Sequence, residues 1–316
     1  MNRIIQISTH PFWHSVRIAF SGMLVAQLIP FLGSLIIVRL NLPEEFGLFA
    51  TWLGLVSFTA VIVTGRLEVA LSIEPNGEPR RFATIAVLII ISTSCLLLSS
   101  VMLCVYIGTA FLNTYSTMLL LLFAPAVLFV AAIQTWQYWV AAEGQYYLLS
   151  WIRISQALGI SGMQIIISYF VPTAIGMSCG FVLGTLIGLC VAAYSMPLKL
   201  SSLKPLSKFW IDLSAFLVRQ HRFPFLSLPA DAINSFSAQI PLLLISSKYT
   251  LEYSGLYALT IRMLGGPISL LGTAILDVFK RSAANSYRDY GNCKNDYIRT
   301  LYGLSLGSLM ILLTKT

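Results

Sequence analysis

Four ionisable side chains sit inside long apolar stretches: Arg66, Glu68, Asp231 and Arg262. A charge in hydrocarbon costs several kcal/mol unless it pairs or faces a cavity, so each is a site candidate. Arg66 and Glu68 stand in Gly65-Arg66-Leu67-Glu68. Two residues apart, they do not share a helix face, and each either lines a cavity or reaches the nearby interface. Asp231, in Pro229-Ala230-Asp231-Ala232-Ile233-Asn234, is too deep for its short side chain to reach water. It either carries function or bonds to a neighbouring helix. Arg262 either lines a cavity or extends its stem outward. A guanidinium matches phosphate geometry, so the two arginines suit an anionic cargo. Glu68 and Asp231 suit proton or cation coupling, or neutralise the arginines. Gln27, Asn234 and Gln239 add neutral polar groups, and Pro30, Pro224, Pro229, Pro241 and Pro267 interrupt the same stretches. Prolines free carbonyls and bend spans, and bent helices at matching places in two halves point to a transport path.

No catalytic constellation, metal site or cofactor is expected. His10 and His14 have a helical metal spacing but no acidic or thiol partner near them, and His221 reads as a solvated loop residue. None of the five cysteines has CxxC spacing, and free thiols are expected.

The elements that must position these groups are membrane helices. The chain is 57% hydrophobic and 10% charged, with mean hydropathy +0.81, whereas soluble domains carry about 25% charged residues. Nine apolar runs approach the roughly 20 residues a bilayer needs. They are Ile18–Leu40, Phe46–Ile73, Phe82–Phe111, Thr117–Ala142, Trp151–Phe170, Thr173–Met196, Phe223–Ser247, Gly255–Phe279 and Tyr297–Leu313. The expected fold class is therefore all-α, a polytopic membrane protein with about nine transmembrane helices. With the N-terminus in the cytoplasm, fifteen of the 20 basic residues fall in inside segments and three outside, a strong positive-inside bias. Basic loops near anionic lipid account for the net charge of +8 without a nucleic-acid partner. The first span is expected to remain as a signal anchor.

The connection 197–222 is longer than the others. Its Leu206, Phe209, Leu213, Phe216 and Leu217 recur at helical spacing among lysines, as in an amphipathic helix on the inner membrane surface. It divides a six-helix bundle, residues 1–196, from a second, incomplete bundle, residues 223–316. An internal repeat agrees with that division. Ala26-Gln27-Leu28-Ile29-Pro30 and then Gly47-Leu48-Phe49-Ala50 recur as Ala238-Gln239-Ile240-Pro241 and Gly255-Leu256-Tyr257-Ala258. Both glycines follow an outside loop and open a span running inward. The halves are thus expected to be parallel, related about the membrane normal.

The stretch from Arg222-Phe223-Pro224 through Asp231-Ala232-Ile233-Asn234-Ser235 resembles the polysaccharide (O-antigen) flippases of the multidrug/oligosaccharidyl-lipid/polysaccharide exporter superfamily. So do Gln239-Ile240-Pro241, Gly255-Leu256-Tyr257-Ala258, Arg262, Pro267, Pro43-Glu44-Glu45-Phe46-Gly47-Leu48-Phe49 and Gly65-Arg66-Leu67-Glu68. The resemblance implies translocation of undecaprenyl-diphosphate-linked oligosaccharide units across a bacterial inner membrane by alternating access around a central cavity. With it come expected partners: the lipid-linked oligosaccharide, membrane lipids, a polysaccharide polymerase and a chain-length regulator. Members of that family usually have twelve or more spans. Nine spans, and a repeat offset of 208 residues in a chain of 316, are expected of a truncated frame or a fragment.

Two other classes compete, besides a purely structural membrane scaffold, which the intramembrane charges disfavour. A multidrug exporter of the same superfamily would favour an acidic, aromatic cavity over one with arginines. A membrane enzyme of polysaccharide assembly would need a metal-binding acid pair or a large extramembrane loop, and the sequence offers neither. The topology has a direct test: a cytoplasm-active reporter fused after Lys204 is expected to be active. Activity from a periplasmic reporter alone at that position would reverse the orientation.

Overall fold

The computed structural model describes residues 11–75, 77–108, 114–198 and 206–261, with isolated positions between 264 and 305; side chains are described from residue 21, except 104–116 and 206–208. His10, Arg262, Pro267, Cys293 and the side chains of His14 and Cys104 lie outside the described residues. The described structure is all-α. Its helices are α1 (Pro11–Leu40), α2 (Pro43–Thr64), α3 (Leu67–Ala70), α4 (Glu78–Gly108), α5 (Thr114–Ala142), α6 (Tyr146–Phe170), α7 (Ala174–Ser195), α8 (Leu206–Arg219) and α9 (Leu228–Lys248), with a π-helical turn at Phe223–Ser227. Residues 251–261 are again helical. The ends carrying the basic connections are termed inner.

Six helices among the described residues are long and apolar enough to cross a bilayer: Ser21–Leu40, Pro43–Thr64, Glu78–Leu103, Thr117–Ala142, Ala174–Ser195 and Phe223–Lys248. The expected fifth span is a 25-residue helix, α6. It is long enough but not apolar enough, because Ser150, Arg153, Gln156, Ser161, Gln164 and Ser168 dilute it. The expected eighth and ninth spans fall largely outside the described residues.

Helix ends follow from local chemistry. Pro43 opens α2 after an extended Leu42, with Glu44 and Glu45 in the first turn, where carboxylates favour the helix dipole. Glu45 also reaches across to accept the Ala174 amide at 2.6 Å, and Thr173 accepts from the Gly176 amide at 3.3 Å. The start of α7 is thereby satisfied and fixed beside the start of α2. Phe46, Phe49, Trp52, Val56 and Ala60 form the buried face of α2. The Trp52 indole crosses the Phe181 ring at 6.1 Å and donates to the Leu119 carbonyl at 3.0 Å.

Helices α6 and α7 pack most extensively with each other, and α1 lies on α6. Gly176, Gly180, Gly184 and Gly188 repeat every fourth residue on α7. A methyl on Gly180 would lie 2.6 Å from the Gln164 Cα, and one on Gly188 2.8 Å from the Gln156 Cβ. Small residues at such spacing let membrane helices approach backbone to backbone.

Helix α8 buries Phe209, Leu213 and Phe216, and the Phe209 ring meets Phe82 of α4 at 5.4 Å. Its apolar positions thus divide: these three find cover on protein, whereas Trp210, Ile211, Leu217 and Val218 are exposed. By compactness the chain forms two units, Met1–Thr260 and Ile261–Thr316. In the second, the Lys294 amide donates to Asn292 Oδ1 at 2.7 Å.

Gly184→Ala is expected to destabilise the protein by about 1–3 kcal/mol, since the added carbon meets the Ile160 backbone. Gly162→Ala, with nothing within 4 Å of the added carbon, is expected to gain about 0.5–1 kcal/mol from helix propensity. Melting in detergent distinguishes the two; equal shifts would refute the close-approach account.

Candidate functional site: an inner clasp between two segments

Helix α2 ends where Gly65 turns left-handed at φ 58° and its amide donates to the Ile62 carbonyl. Glycine takes that conformation freely. The next residue, Arg66, is left-handed as well at φ 57°, and is the one non-glycine residue with positive φ among the described residues. For an L-residue this costs about 1–2 kcal/mol. The two left-handed residues break the helix and restart it as α3, which turns the Arg66 side chain toward α9.

Arg66 Nε donates to Asp231 Oδ2 at 2.5 Å, and Nη1 to Glu68 Oε1 at 3.3 Å. The break at Gly65 and Arg66 is what lets residues two apart pair, which a continuous helix disfavours. Asp231 lies in the first turn of α9, behind Pro229. Glu68 is 1% exposed, and its Oε2 has no hydrogen-bond partner. One guanidinium thus faces two carboxylates, leaving a formal charge of about −1 in a partly desolvated place. Such a group can hold an exchangeable proton or small cation at Glu68, and it can take an anion at Arg66 if Asp231 withdraws.

A second tie lies eight residues farther along. Glu74, 2% exposed, accepts Arg219 Nη2 at 2.9 Å on both oxygens and Gln220 Nε2 at 2.7 Å. Arg80 donates to the Glu74 carbonyl at 2.7 Å and the Ala142 carbonyl at 2.8 Å, with Glu143 Oε1 at 3.5 Å. The segments 66–74 and 219–231 are therefore joined twice, and the π-helical turn Phe223–Ser227 lies between the joints. Short π turns inside helices often mark functional sites.

From the clasp outward, α2 and α9 run antiparallel. Phe58 and Phe236 rings lie 5.5 Å apart, and Gln239 covers Gly54, with Oε1 2.5 Å from where a methyl would stand. Of the sequence candidates, Arg66, Glu68 and Asp231 come together. Asn234, one turn beyond Asp231, is exposed, and Gln239 is half-buried in the seam. Gln27 is half-buried on α1, which packs mainly on α6 and is not part of the clasp. Arg262 lies outside the described residues.

Sequence reasoning missed Glu74, Arg80 and Gln220. Glu74 belongs to a short inner loop where a solvated carboxylate is the ordinary expectation. Its one signal is being an acid between an apolar span and the basic pair Arg80-Arg81.

A family model described as "Polysaccharide biosynthesis protein" matches residues 36–312. Among curated proteins, none matches. Two solved structures are similar at low identity. One is a MATE protein in complex with Br-NRF, 12% identical with TM-score 0.46, covering 85% of this chain and 73% of that chain. The other is a MOP superfamily transporter from Pyrococcus furiosus, 14% identical with TM-score 0.45, covering 86% of this chain and 71% of that chain.

Glu74→Ala strips the acceptor from Arg219 and Gln220 and is expected to cost about 1–3 kcal/mol. Arg219→Ala, whose side chain is 60% exposed, is expected to cost less than 1 kcal/mol by roughly the surface-pair rule. Limited proteolysis of residues 197–222 checks this: faster cleavage in Glu74→Ala supports the tie, and unchanged cleavage refutes it.

Proposed function

The chain belongs to the polysaccharide biosynthesis protein family whose model spans residues 36–312, and from that premise we propose that it translocates a lipid-linked oligosaccharide across a bacterial inner membrane. The cargo in this reading is an undecaprenyl-diphosphate-linked repeat unit for surface polysaccharide. Its prenyl tail stays in hydrocarbon, and its diphosphate and sugars need a polar route. A multi-pass helical membrane protein meets the first requirement. The clasp meets the second, and Arg66, presented by a broken helix at the inner end of the α2–α9 seam, is the observation that carries the reading.

Arg66 takes the diphosphate or an anionic sugar in place of Asp231, since a guanidinium can bond two phosphate oxygens side by side. Asp231 then holds the resting state, occupying Arg66 until cargo arrives. Glu68, with an unpartnered oxygen, is the group for proton or cation coupling. Asn234, Gln239 and Gln27 are assigned to sugar, and Arg262 to a second anionic contact. In alternating access the inner end opens to load cargo and the outer end opens to release it.

Arg66→Gly is the cleaner test than Arg66→Ala, because glycine keeps the left-handed turn while removing the guanidinium. In cells that depend on this chain for surface polysaccharide, Arg66→Gly is expected to lower export at least about tenfold, equivalent to about 1.4 kcal/mol of lost interaction, with membrane insertion intact. Arg66→Lys, which keeps charge without the fork, should fall between. Normal polysaccharide from Arg66→Gly and Arg262→Ala would reject the anion-contact assignment; altered drug resistance with unchanged polysaccharide would favour a small-molecule exporter.

A further inference from the structure

The two copies of the internal repeat touch each other at their glycines. A methyl built on Gly47 would stand 2.5 Å from Ser254 Oγ and 2.7 Å from the Gly255 nitrogen. One built on Gly255 would stand 2.8 Å from the Pro43 carbonyl carbon and 3.1 Å from the Gly47 nitrogen, and would overlap the Pro43 oxygen. The contact is reciprocal: each glycine meets the backbone around the other. Equivalent residues meet in this way where two like elements are related by a twofold axis. Parallel halves related about the membrane normal place such an axis between the openings of the two repeats. Gly47, Ser254 and Gly255 are all buried, and the contact involves no charged side chain.

This contact and the clasp lie at opposite ends of the same seam. Gly47 is near the start of α2, Gly54 and Phe58 follow against Gln239 and Phe236, and Arg66 closes the other end on Asp231. We infer that the Gly47–Gly255 contact is the outer closure of the route along this seam, and that it parts when the outer side opens. The inference rests on the transport reading for the existence of a route, but not on the identity of the cargo. Backbone against backbone leaves no room for a sugar or a phosphate. The two ends close by unlike means, a charge pair on the inside and steric fit outside. An anion can displace a carboxylate from Arg66, but it has nothing to bind at two glycines. The outer end therefore responds to helix movement alone, and loading from inside leaves it shut.

The test uses Ser254→Cys as a reporter in a chain with Cys95, Cys104, Cys179, Cys190 and Cys293 replaced by serine. Ser254 is fully buried, and its hydroxyl donates to the Leu251 carbonyl at 2.7 Å. Cells are treated from outside with a membrane-impermeant maleimide. The reporter alone is expected to label slowly, only as fast as the outer side opens, and at once when the protein is unfolded in detergent. Gly47→Ala and Gly255→Ala, wedges from either side of the contact, are each expected to raise the labelling rate at least tenfold. Gly188→Ala, a wedge between α6 and α7 away from this contact, should leave it unchanged. Rapid labelling of the reporter alone, equal rates with and without the wedges, or the same rise with Gly188→Ala would each overturn the inference. Labelling reads the contact whatever the cargo, whereas polysaccharide export in Arg66→Gly reads the cargo, so the two proposals fail separately.

Discussion

Within a bilayer, apolar side chains gain little by leaving lipid for one another, so close backbone approach takes over much of what hydrophobic burial does in water. That constraint organises this protein. Helix α7 meets α6 through glycines at every fourth residue, and α2 meets α9 and the helix after it through Gly54 and Gly47. Where glycine is absent, short polar side chains take its place, as Ser150 and Ser161 do against Gly22 and Gly33 of α1. The cost is polar dilution of α6, which keeps that helix from reading as an ordinary span although it is 25 residues long.

The charges follow from the same packing. A helix pair drawn close at its outer end and middle places the inner ends of α2 and α9 side by side. The left-handed Arg66 then reaches Asp231 across the gap. The backbone strain at Arg66 is offset by a charge-assisted bond that a regular helix could not make. Glu74 adds a buried carboxylate whose three donor contacts come from the segment leading into α9. Each tie limits the motion of the other, because the chain between them is short on both sides.

Much of the architecture was legible in the sequence because a bilayer imposes a length and a composition. The apolar runs ending at Leu40 and Ala142 end there in the structure as well. Candidate charges were legible for the same reason, since Arg66, Glu68 and Asp231 are conspicuous in apolar surroundings. Neutralisation of the arginines was one reading of them, but the meeting of both acids at Arg66 was not legible. It depends on a left-handed arginine, and nothing in the residue type of Arg66 announces one. Glu74 was invisible for a different reason: its burial is created by α8, which docks Phe209, Leu213 and Phe216 on the bundle instead of leaving them to lipid. The repeat told of two like elements, and it took the fold to show that their glycines touch.

The π-helical turn at Phe223–Ser227 has a mechanical meaning. The Leu228 amide bonds back to the Phe223 carbonyl, five residues earlier instead of four. One residue of chain is thus stored between the joint at Arg219 and the joint at Asp231. Returned to α-helical winding, that residue would turn α9 by about 100° about its own axis and advance it by about 1.5 Å. Such a rotation would swing the Asp231 carboxylate away from Arg66 while Arg219 stayed on Glu74. Rewinding this one turn can therefore act as a one-notch ratchet on α9, turning Asp231 while the joint at Glu74 holds.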